Sequence, residues 1–172
     1  MPGDDSESIN LLRRSVGRTV RGFSCYDWSS SAAAQFSVKN PALFETFWPV
    51  LVHFDDETCL RIYSEVSATV RLTVESVDEP FPPSIQSSGK VATVRVATGQ
   101  VSLLEVRETL WAAMFVFDHT EPLGVALGET NRNGDIEMIP DSFVVIRDRE
   151  TAERYFFDGS PSGAWGKPLP PN

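Results

Sequence analysis

The thirteen residues Leu51 to Tyr63, LVHFDDETCLRIY, concentrate the side chains best suited to chemistry: His53, the acids Asp55, Asp56 and Glu57, and Cys59. A thiol beside an imidazole is a nucleophilic pair. A catalytic cysteine, however, is activated by a helix N-terminus or a nearby cation, and three adjacent acids act in the opposite sense. Zinc sites favour paired Cys and His ligands at short spacings such as CxxC, and none is present. DDETC also lacks the regular oxygen-ligand spacing and central glycine of a calcium loop. The stretch therefore reads as a β-hairpin with an acidic tip, and His53 and Cys59 as a half-buried pair on its second face.

Two other clusters bear the same question. DHTEP, residues 118–122, places Asp118, His119 and Glu121 just past the most apolar part of the chain. A histidine within reach of a carboxylate can do acid–base work, but neighbours along a turn seldom face one another. GETNRNGD, residues 128–135, mixes glycines with oxygen-bearing side chains, yet it has neither the GxxxxGK[ST] nor the GxGxxG spacing. GxSxG, HExxH and CxxC are absent. No catalytic residue, metal or cofactor is assigned. The alternative keeps His53, Cys59 and His119 as the polar groups of a pocket inside the bent sheet that binds or hydrolyses a small molecule.

The elements that must position these residues are mostly strands. Ile9, Leu11, Leu12 and Val16 give the start of the chain a helical stripe, with Ser6 or Ser8 as its cap and Gly17 as its stop. RTVRGFSCY alternates as a strand. PALFETFW reads as a single helical turn opened by Pro41. Val50, Val52 and Phe54 share a face, as do Leu60 and Ile62, and Val70, Leu72 and Val74, which predicts a three-stranded meander over residues 48–75. Keeping those apolar residues together requires a loop of odd length around Asp55 to Thr58. Residues 78–90, DEPFPPSIQSSGK, read as a long surface loop or a join between two halves of one domain spanning 1–172. VATVRVATG is a strand; periodicity does not decide between helix and strand for 103–117. EPLGVALGET and DIEMIP form a hairpin across NRNG, DSFVVIRD is a strand, and RETAERYFF is a helical turn or a bent strand. The sum is an α+β fold: a mostly antiparallel, strongly bent sheet or partial barrel with one or two short helices.

Charge narrows the partners. The formal net charge is −9, and lysine supplies only Lys39, Lys90 and Lys167 among 15 basic residues. That excludes broad nucleic-acid binding and attraction to anionic membranes, both of which need a basic surface. No apolar run approaches the roughly 18 residues of a membrane span. The acidic MPGDDSESIN lacks the basic and apolar regions of a secretory signal, so the expectation is a cytoplasmic protein with reduced thiols at Cys25 and Cys59.

The order VGRTVRGF, VLVHFDDETCLRIYSE and GDIEMIPDSFVVI resembles small bacterial immunity-like domains of polymorphic toxin systems. Those pair a G-x-x-V opening strand with a hairpin of the form F-x-D-G-x-x-L-x-I, and Glu57 stands here in place of the turn glycine. The resemblance implies a non-enzymatic domain that neutralises a toxin by binding it, and it brings no catalytic residues. The expected partner is another, basic protein met by Asp55, Asp56 and Glu57, with Asp78 and Glu79 as a second patch. Homo-oligomers through sheet edges are a further expectation.

Overall fold

The computed structural model describes residues 5–25, 43–46, 49–66, 70–78, 83, 85–99, 109–130, 136–137, 142–151 and 167–168. Helix α1 (Ser6–Arg14) is followed by β1 (Thr19–Cys25), β2 (Leu43–Thr46), β3 (Val50–Phe54), β4 (Thr58–Val66), β5 (Val70–Asp78) and β6 (Ile85–Gly99). Then come β7 (Thr109–Phe117), β8 (Leu123–Leu127), β9 (Glu129–Thr130), β10 (Ile136–Glu137), β11 (Phe143–Ile146) and β12 (Lys167–Pro168). The fold is a mostly antiparallel sheet with little helix. Its ladder runs β2-β11-β8-β7-β6-β1-β3-β4-β5, with β12 added on β6 and β9–β10 as a separate hairpin.

The meander forms with the register that the alternation predicts. Val50 pairs with Ile62, Val52 with Leu60, and Ile62 with Val74. One face is the core: Val50, Val52, Phe54, Leu60, Ile62, Leu72 and Val74 are all buried. The other carries polar pairs, with Arg61 bonded to Glu75 and the Thr73 hydroxyl donating to Glu65. The ambiguous apolar stretch resolves as strand from Thr109 onward, residues 103–108 lying outside the described ones. Every described residue of β8 and β11 is buried, so these short strands show no alternation. Helical geometry begins again at 149, and β9 pairs with β10 across NRNG as expected.

Three expectations are corrected. Leu43–Thr46 is a strand, not a helical turn: it pairs in register with β11, Phe44 opposite Val145, and this long-range pairing overrides the first-turn proline signal. Residues 85–90 are not loop but the first half of β6. They pair with β1, and residues 91–99 pair with β7, so one long strand serves both parts of the ladder. Gly89 is there for space: a Cβ on it would lie 2.9 Å from Thr120 Oγ1 and 3.1 Å from Phe117 Cβ. The α1 N-cap is Asp5, not a serine, and the Asp5 side chain makes no cap bond.

Asp5 and Ser8 instead hold α1 against the sheet. The ladder is not closed into a barrel, although β5 at its end packs against β7. Asp5 spans the two strands, accepting from Arg71 at 3.3 Å and from the Leu110 N–H at 2.9 Å. Ser8 Oγ accepts the Val74 N–H at 3.0 Å, satisfying a donor on the outer edge of β5, and Leu12 is fully buried beneath. At the other side of β6, Arg147 donates to Ser87 Oγ and the Pro122 carbonyl, with its guanidinium 5.0 Å from the Phe23 ring. Burial lowers its pKa, an effect opposed by Glu121.

Candidate functional site

The tip of the β3–β4 hairpin is a three-residue loop, Asp55, Asp56 and Glu57, all exposed. Glu57 is left-handed, with φ of 65°, the conformation in which glycine is cheapest. The three acids do different jobs. The Asp55 backbone N–H donates to the Thr19 carbonyl at 3.0 Å, tying the tip to the start of β1. Asp56 stays exposed but is bonded within the molecule: its Oδ1 accepts from the Thr58 hydroxyl at 2.6 Å and the Thr58 N–H at 3.2 Å, and Arg18 donates to both carboxylate oxygens at 3.1 and 3.0 Å. Arg18 also lies over the Phe54 ring, 3.6 Å from its centroid. The Thr58 hydrogen bonds, helped by the Arg18 charge, hold the Asp56 carboxyl below its ordinary pKa. Asp56 is thus partly neutralised within the molecule, whereas the carboxylates of Asp55 and Glu57 are presented to solvent.

The register sets other charged residues beside this tip. Asp78 is opposite Thr58 and exposed; Glu79 lies outside the described residues. Lys90 is opposite Thr19, and beyond β6 stands the exposed β7–β8 turn with Asp118, His119 and Glu121. Glu121 is engaged in part, accepting from the Arg149 N–H at 2.7 Å. From the β7–β8 turn to Asp78 the rim crosses β6, β1 and the β3–β4 hairpin, a span on the order of 20 Å at about 4.8 Å per strand. Among the described residues the acids Asp55, Asp56, Glu57, Asp78, Asp118 and Glu121 outnumber the cations Arg18, Lys90 and Arg149 along it.

His53 and Cys59 do come together, as cross-strand neighbours in β3 and β4. Both are buried, at 1% exposure each, rather than half-buried. His53 Nε2 lies 2.9 Å from Ser24 Oγ, and the Cys59 thiol donates to the Val77 carbonyl at 3.7 Å. Gly22 sits opposite His53, and a Cβ there would meet Pro83 at 2.7 Å, so Pro83 seals part of this side. His119 stands apart, exposed on the β7–β8 turn, with β6 and β1 between it and β3. Among the described residues no three His, Cys, Asp or Glu side chains are grouped to hold a metal ion.

Sequence reasoning missed Arg18 and Ser24. Neither has a local signal, because each acquires its role only when β1 pairs with β3, Val20 opposite Phe54 and Ser24 opposite Leu51. Comparison with protein-family models, curated proteins and solved structures finds no match to this chain. Among the described residues no helix is long and apolar enough to cross a membrane.

Proposed function

We propose that this protein is a non-enzymatic interaction domain that binds a basic protein through its acidic rim, in the manner of a toxin-neutralising immunity protein. The observation that carries the reading is the division of labour at the hairpin tip. Arg18 and Thr58 bind the exposed Asp56 carboxylate, while those of Asp55, Glu57 and, on the strand opposite Thr58, Asp78 are presented to solvent. Carboxylates held on strand ends steer a cationic partner and can cover its active surface, raising the association rate more than the intrinsic affinity. The strong bend expected of the sheet, with β5 folded against β7, would gather the loops at one end into a common surface. Self-association through a sheet edge such as β2 is an alternative outcome of the same experiment.

The test is capture of partners from a bacterial lysate on the immobilised protein, identification by mass spectrometry, and association kinetics at several salt concentrations. Replacing Asp55 by Asn, Glu57 by Gln and Asp78 by Asn together should slow association severalfold at low salt and leave folding intact. Wild-type rates should fall as added salt shortens the Debye length from about 10 Å at 0.1 M towards 3 Å at 1 M. Equal rates for wild type and variant at low salt would remove the rim from the interface.

A second reading, a small-ligand-binding or hydrolytic domain, has one observation in its favour: the Ser24–His53 contact, the geometry by which a base activates a hydroxyl nucleophile. Labelling of Ser24 by a serine-directed fluorophosphonate, abolished by His53→Ala in a folded variant, would support it. Inertness of the wild type to the probe would count against it.

A further inference from the structure

We draw no further inference here: the strongest candidate, the buried Ser24–His53–Cys59 cluster on the outer side of β1, β3 and β4, belongs to the hydrolytic reading already given, and nothing among the described residues shows a ligand, a cleft or an anion-stabilising group through which it would act.

Discussion

Replacing Glu57 by glycine should stabilise the protein. At φ of 65° the Cβ of an L-residue crowds its own backbone, at a cost of roughly 1–2 kcal/mol. Glycine avoids that cost but loses roughly 0.5–1 kcal/mol more backbone entropy on folding. The difference leaves a net gain of up to about 1.5 kcal/mol, or up to about 6 °C in Tm for a chain this long. Glu57→Ala is the control, because it removes the same carboxylate and keeps the Cβ. Urea denaturation of wild type and both variants at one pH and salt concentration separates the two effects. Stabilisation by glycine with little change for alanine would place the effect in the backbone. Equal stabilisation by both would assign it to relief of charge repulsion from Asp55 and Asp56. A glycine variant less stable than the alanine variant would refute the left-handed conformation at this position.

Val52→Asp should cost several kcal/mol, since it forces a carboxylate into a fully buried site, whereas Arg61→Asp on the polar face should cost no more than about 1 kcal/mol. Denaturant unfolding checks both, and the reverse ranking would invert the register. Asp5→Ala removes the acceptor shared by Arg71 and Leu110 and should cost about 2–3 kcal/mol, while Ser8→Ala should cost about 1 kcal/mol. Hydrogen exchange should show the loss first at the amides of Val74 and Leu110, and unchanged protection there would dismiss α1 as the fastener of the β5–β7 seam. Asp56 has a folded pKa below its ordinary 3.8, so the stability it supplies is present above that value and is lost as pH falls through the lowered one. Unfolding curves from pH 6 to pH 2 should therefore fall less steeply below about pH 4 for Asp56→Asn than for wild type, and superimposable slopes would contradict the Thr58–Arg18 clamp.

The meander was legible because its information is local. Alternation from Val50 to Val74 sets which side chains share a face, and the odd loop follows from keeping Phe54 and Leu60 together. The rest depends on partners distant in sequence. Leu43–Thr46 is too short to show a period, and its strand geometry comes from β11, about a hundred residues later. The serines and Gly89 of β6 carry the composition of a loop, yet Gly89 is what the strand needs where Phe117 and Thr120 press close, and Ser87 accepts a hydrogen bond from Arg147. For the candidate site the same division holds. The acids of the tip were visible as a run; their inequality was not, because Arg18 reaches Asp56 only through the β1–β3 pairing, 38 residues apart in sequence. Likewise His53 and Cys59 were placed together by hairpin register alone, while Ser24, the group His53 actually meets, required the third strand.

That inequality decides how the interaction proposal has to be tested. Neutralising all three tip acids looks like the natural experiment, since the run reads as one patch. Yet Asp56 joins the Thr58 N–H and hydroxyl to Arg18, so its loss would perturb the loop that presents its neighbours. A binding defect in the triple variant would then report on loop geometry and charge together. Asp55→Asn with Glu57→Gln changes only exposed carboxylates, whose sole described tie to the fold is the Asp55 backbone N–H, a bond the substitution keeps. Asp56→Asn alone changes the clamp and leaves two exposed charges. If electrostatic steering governs association, each variant should lose salt-dependent rate in step with the net charge it removes, so the double variant should lose more than Asp56→Asn, which removes one charge and leaves Arg18 unpaired. The opposite order, with Asp56→Asn the more damaging and the salt dependence retained, would mean that the shape of the tip, rather than its charge, meets the partner.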